Sequence, residues 1–181
     1  VADYFEFPKG FFAVGHSAGG AHVAYAEFLH PGAIAKALLI DPIIGERKRF
    51  EGENPLALKV RYRINSFDSL SSARERLVAK PPMAHAFQVD DEGSCHLKCP
   101  GHREAWYYEL GGASDVYDGL TTLQSDILLV TGSESYIQPM IADQNARLPH
   151  SAVKAVPSAG HFVPQEKPEA VAALIKQYFI A

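Results

Sequence analysis

Ser17 stands at the centre of Gly15-His16-Ser17-Ala18-Gly19, a setting in which a serine hydroxyl can serve as a nucleophile. The pentapeptide follows an apolar run, Phe11-Phe12-Ala13-Val14, and leads into a stretch of small residues, which predicts a strand, a very tight turn and a helix. On that turn the flanking glycines, Gly15 and Gly19, are expected where a Cβ would find no room. Ser17 would be exposed at the strand's end, with the Ala18 amide at a helix N-terminus aimed where an oxyanion would form. A serine hydroxyl attacks poorly until a base takes its proton. The best-placed base is His161, in the turn Pro157-Ser158-Ala159-Gly160-His161 just after a short strand, where an imidazole can reach over the sheet edge.

The other histidines compete less well. His16, His22 and His30 flank or follow the serine turn, while His85, His96, His102 and His150 fall in surface or inserted segments. His16, beside the nucleophile, is a candidate substrate contact. Cys95, His96, Cys99 and His102 put two thiols and two imidazoles within eight residues, enough for a zinc site on composition. Their spacing is cramped and no second half follows, so the expectation is no metal; a reactive thiol pair or plain packing are the other readings. Trp106, Tyr107 and Tyr108 read first as packing, with Trp106 the candidate for a substrate contact.

The elements that must position these residues alternate. After the strand near residue 11 comes a helix over 18–29, stopped by Pro31-Gly32, and then the buried strand Ala37-Leu38-Leu39-Ile40, ending at Asp41-Pro42. Strand, helix, strand at this spacing is a βαβ unit. Residues 43–123 change character to charged, aromatic and irregular, with helical patches at 55–63, 69–79 and 102–110, interrupted by Pro81-Pro82 and by the polar stretch 90–94. This predicts a helical lid inserted into a core of residues 1–42 and 124–181. The core resumes with a strand at 127–130, a helix over 138–148, a strand at 152–156 and a final helix with Pro168 in its first turn. The fold class is α/β, a mainly parallel sheet flanked by helices. Its first strand is apolar enough to want neighbours on both sides, yet only Val1–Gly10 precede it. The expectation is a core incomplete at its N-terminus, its missing half absent or supplied by a companion N-terminal chain, with a homo-oligomer as the other expected partner.

The composition is that of a globular domain: 181 residues, 47% hydrophobic and 21% charged, large enough for a substantial core. The net charge of -4 with dispersed Lys and Arg argues against a nucleic-acid partner. No apolar run approaches the roughly 20 residues of a membrane span. Two cysteines are too few for a disulfide framework, so a cytoplasmic setting is expected.

Three motifs, in order, resemble the α/β-hydrolase superfamily: the serine turn at 15–19, Leu129-Val130-Thr131-Gly132-Ser133-Glu134, and Ala159-Gly160-His161-Phe162-Val163-Pro164. The chain is similar to its C-terminal two-thirds, without the usual N-terminal strands. Leu97-Lys98-Cys99-Pro100 with Glu104-Ala105 is similar to a subgroup that includes toxin-biosynthesis and peroxisomal lipase-like proteins. The resemblance implies a serine esterase or lipase with a Ser-His-acid triad, a small-molecule acyl substrate and no cofactor. The same triad serves carbon–carbon bond hydrolysis, while a serine in place of Asp at the turn argues against epoxide hydrolysis and dehalogenation. A non-catalytic fragment of a split hydrolase is the reading from outside enzymology. The acid departs from the commonest pattern, which puts an Asp where this chain has Ser135. Asp41, at the end of the next strand, is the first substitute, and Glu134 is the alternative. The second oxyanion donor usually comes from an early loop that has no match before residue 15, and lack of one such donor costs about 2.7–4 kcal/mol.

Overall fold

The apolar runs of the core become four strands: β1 (Phe11–His16), β2 (Ile34–Ile40), β6 (Asp126–Gly132) and β7 (Ser151–Val156), all parallel, in the order β1-β2-β6-β7. The computed structural model describes residues 8–46, 54–77, 86–109 and 116–180. The chain divides into two units, Val1–Arg47 with Ala113–Ala181, and Lys48–Gly112.

In the first unit β2 is central, and Leu38, Leu39 and Ile40 are all but inaccessible. Alternation along a strand sends successive side chains to opposite faces. Ala37 and Leu39 therefore join Ala21 and Ala24 of α1 (Ala18–Leu29) and Ile141 of α6 (Gln138–Arg147). Leu38 and Ile40 join Val163 of the short α7 (Val163–Glu166) and Val171 of α8 (Pro168–Ile180), with Leu174, Ile175 and Tyr178 packed alongside. A buried leucine such as Leu39 or Leu129 contributes about 2–5 kcal/mol against alanine. The α1–β2 turn is fixed by the buried carboxylate of Glu27, which accepts from the Gly32 and Ile34 amides at 2.8 Å each. Among the described residues β1 pairs only with β2, and Phe12 and Val14 on it are about half exposed.

The second unit has helices where they were expected, and it adds a small sheet that was not. Beside α2 (Pro55–Arg61), α3 (Leu70–Leu77) and α4 (Gly101–Glu109) it holds an antiparallel sheet of β3 (Ser66–Phe67), β4 (Phe87–Val89) and β5 (Cys95–Leu97), in the order β3-β5-β4. Strands of two or three residues are too short for an alternation to show in the sequence. Their own small core is Phe67, Ala73, Phe87, Cys95 and Leu97. Asn54 caps α2 by accepting from the Leu56 amide at 2.9 Å. The boundary also moves: α5 (Val116–Gly119) and the 3-10 turn Leu120–Thr122, both within the expected insertion, bury Val116 and Leu120 in the core of the first unit. Pro81-Pro82, His85 and the expected helix ends at 78–79 and 110 lie outside the described residues. Among those residues no helix is long and apolar enough to cross a membrane.

Candidate active site

Parallel pairing in register aligns the carboxyl ends of the four strands: His16 lies opposite Ile40, Ile40 opposite Val130, and Gly132 opposite Val156. Ligand sites of open parallel sheets form beyond that edge. Ser17, Asp41, Ser135 and His161 all lie in the segments that leave it.

Ser17 is the N-cap of α1, with φ 57° and ψ -124°. An N-cap serine ordinarily turns its hydroxyl back to an amide of the first helical turn. Here that bond is not made, and Ser17 Oγ lies 2.9 Å from His161 Nε2. The amide of Ser17 donates to the Ile40 carbonyl at 2.8 Å, which holds the residue in a conformation that costs about 1–3 kcal/mol in a non-glycine residue. A Cβ on Gly15 would lie 2.6 Å from the Gly19 carbonyl oxygen and 2.7 Å from the Gly20 Cα. The expectation for Gly19 is corrected: among the described residues a Cβ there would meet nothing within 4 Å, and the second crowded glycine of the turn is Gly20, where a Cβ would lie 2.8 Å from Pro42 Cβ. The turn folds the backbone of Gly19 towards Gly15 and leaves its side-chain direction open. Ala18 is the first residue of α1, so its amide has no intrahelical acceptor and sits at the positive end of the helix dipole.

Asp41 continues from β2 with φ 43° and is fully buried, its amide donating to the Val130 carbonyl at 2.7 Å. Asp41 Oδ2 accepts from His161 Nδ1 at 3.2 Å and from Ser135 Oγ at 2.5 Å. Ser135 Oγ also accepts from the Ile137 amide at 3.4 Å. Burial pushes the Asp41 carboxyl up, but hydrogen bonding with His161, Ser135 and Thr131 and the field of His161 outweigh it and hold the pKa below its ordinary value. With Nδ1–H directed at the carboxylate, His161 presents the Nε2 lone pair to Ser17. The side chains brought together are thus Ser17, His161 and Asp41. Glu134 is exposed, and its amide donates to the Ala159 carbonyl at 2.9 Å.

The loop that carries His161 is fastened from several sides. The Gly160 amide donates to Glu166 Oε2 at 2.7 Å, and the Ser158 amide to Ser133 Oγ at 2.9 Å. His16 Nε2 donates to the His161 carbonyl at 2.8 Å, tying the serine turn to the histidine loop. Burial holds the His16 imidazole below its ordinary pKa, against the opposing effect of that hydrogen bond, and so favours the neutral ring. The His161 imidazole, itself buried, has aromatic neighbours at centroid distances of 5.2 Å (Tyr136) and 5.3 Å (Phe162). Sequence reasoning missed the Ser135–Asp41 bond, the His16–His161 bond and the approach of Tyr136. Only adjacency to Ser17, Ser135 and His161 in the chain hinted at them.

The remaining candidates lie in the second unit. Trp106 is exposed on α4. Cys95 is buried in β5 and Cys99 is exposed, both as free thiols. Among the described residues no three His, Cys, Asp or Glu side chains converge to hold a metal ion. His96 instead bridges Ser66 Oγ, 3.0 Å from Nδ1, and Asp90 Oδ2, 2.9 Å from Nε2. That hydrogen bond from His96 is also the main reason the Asp90 carboxyl sits below its ordinary pKa. This second Ser-His-Asp chain differs from the first in its setting, because Ser66 lies within a strand whereas Ser17 is the N-cap of a helix.

A family model described as the alpha/beta hydrolase family matches residues 1–174. None of the curated proteins matches this sequence. Among solved structures, the peroxisomal alpha-beta-hydrolase Lpx1 of Saccharomyces cerevisiae is similar with a TM-score of 0.74 at 16% identity, over 95% of this chain and 52% of that one. E-2-(acetamidomethylene)succinate hydrolase is similar with a TM-score of 0.73 at 20% identity, over 98% of this chain and 69% of that one. A thermophilic esterase from Thermogutta terrifontis follows with a TM-score of 0.67 at 18% identity, over 98% and 67%. The chain spans about half the length of the yeast protein. At these identities the likeness is one of fold.

Proposed function

Because this chain belongs to the alpha/beta hydrolase family, we propose that it is a serine hydrolase that cleaves carboxylic esters through an acyl-enzyme on Ser17. The observation that carries this reading is the unbroken chain Ser17 Oγ–His161 Nε2 at 2.9 Å and His161 Nδ1–Asp41 Oδ2 at 3.2 Å. Ser17 Oγ attacks the ester carbonyl as His161 Nε2 takes its proton, and the Ala18 amide donates to the oxygen that becomes negative. The tetrahedral intermediate collapses, the carbon–alkoxy bond breaks, and His161 returns the proton to the departing alcohol. Water then repeats the sequence on the acyl-enzyme: His161 takes its proton, and Ser17 Oγ recovers one as the carboxylic acid leaves. Asp41 stays ionised throughout, orients the imidazole and stabilises the imidazolium. Ser135 supports it by donating to the same carboxylate oxygen.

The test is hydrolysis of p-nitrophenyl acetate and butyrate by the purified chain. Turnover that disappears with Ser17→Ala and with His161→Ala, both variants remaining folded by circular dichroism, is the expected result. Turnover that survives Ser17→Ala refutes the reading.

A further inference from the structure

The histidine that returns the proton to the departing alcohol must stand beside it, so rings that flank its imidazole are the first groups to consider around the leaving group. Besides the ring of His16 at 5.1 Å, which is tied to the His161 carbonyl, two aromatic rings flank it. Tyr136, one residue after Ser135, is tilted at 50° to the His161 imidazole with centroids 5.2 Å apart. Phe162 meets the same imidazole edge-on at 69° and 5.3 Å, and its ring also lies 6.1 Å from that of His16. His161 itself is only 7% exposed, whereas Tyr136 is 73% and Phe162 44% exposed. Rings this open contribute little to the core of the unit, and they keep apolar surface in water next to a buried imidazole. They leave the sheet edge with the segments after β6 and β7, on the His161 side. The Ala18 amide, which would receive the carbonyl oxygen, belongs to the start of α1.

We propose that Tyr136 and Phe162 form a leaving-group subsite that selects acyl substrates whose departing alcohol is aromatic. This rests on the serine-hydrolase reading above and adds the chemistry of the alcohol half of the substrate. A flat ring placed between or against Tyr136 and Phe162 gains offset or edge-to-face contacts that a compact fluorinated alkyl group does not. The alcohol oxygen at its edge then falls beside His161 Nε2, where the proton is delivered.

The experiment compares phenyl acetate with hexafluoroisopropyl acetate, which share an acyl group and release alcohols of similar acidity. The intact chain should prefer the phenyl ester by about tenfold in kcat/KM. Tyr136→Ala and Phe162→Ala should each reduce that preference to about threefold or less, mainly by raising KM for the phenyl ester, and slow the fluorinated ester less than the phenyl ester. Tyr136→Phe, which keeps the ring, should retain the preference. If both alanine variants slow the two esters equally, or the preference survives them, the subsite is refuted while the serine-hydrolase reading stands. If neither ester is turned over in a Ser17-dependent way, both fail together.

Discussion

Replacing Asp41 by Asn separates its charge from its shape. Asn tolerates the positive φ of 43° found at this position and keeps an acceptor oxygen for Ser135, so the backbone and the local packing survive. What is lost is the negative charge 3.2 Å from His161 Nδ1. An imidazolium and a carboxylate at that distance attract by about 5 kcal/mol at an effective dielectric constant of about 20. The attraction exists only once His161 is protonated, in the transition state, so it appears in kcat rather than KM. Its loss predicts a fall in kcat of about 10³ to 10⁴-fold. Glu134→Gln, at an exposed side chain, should change kcat by no more than about twofold. Steady-state hydrolysis of p-nitrophenyl acetate by the two variants measures both. An Asp41→Asn enzyme within tenfold of the parent, or a larger loss from Glu134→Gln, refutes the assignment of the acid.

Gly15→Ala should destabilise the chain by about 3 kcal/mol or more in urea unfolding, because the new Cβ would meet backbone that cannot yield without moving Ser17. Gly19→Ala should instead be neutral or stabilise by about 0.5–1 kcal/mol, since it adds a helix-forming residue in open space within α1. His16→Leu should lower kcat by about three- to tenfold through loss of its bond to the His161 carbonyl, and His16→Gln, which retains an N–H donor, should recover most of it. The depressed pKa of Asp41 makes its contribution to stability fully present above its ordinary value of 3.8 and lost as pH falls through the lower folded value. Unfolding free energy should therefore fall more steeply below about pH 4 in the parent than in Asp41→Asn.

The elements of the first unit were legible because their signals are long. A continuous apolar strand such as Ala37–Ile40 and the apolar face of the 13-residue α8 can be read without knowing their neighbours. The short strands β3, β4 and β5 carry no such period. Ser17 and His161 could be singled out because local context declares each of them, the first by a strained turn and the second by the loop after β7. The carboxylate that bonds His161 was narrowed only to Asp41 ahead of Glu134, since which one reaches the imidazole depends on sheet order. β2 lies between β1 and β6, which puts Asp41 between the nucleophile turn and the loop of Ser135. Ser135 looked like a vacated position, yet its hydroxyl binds a carboxylate 94 residues away, and nothing local encodes that bond. The role of Gly19 was read from a pattern that marks where glycine occurs but not which one is crowded.

The most direct test of the central claim is reaction of the folded chain with a fluorophosphonate, followed by peptide mapping. The account predicts one phosphonyl adduct, located on Ser17, that is absent in Ser17→Ala and strongly slowed in His161→Ala. A folded chain that resists the reagent, or an adduct on Ser66 or any other residue in place of Ser17, contradicts it.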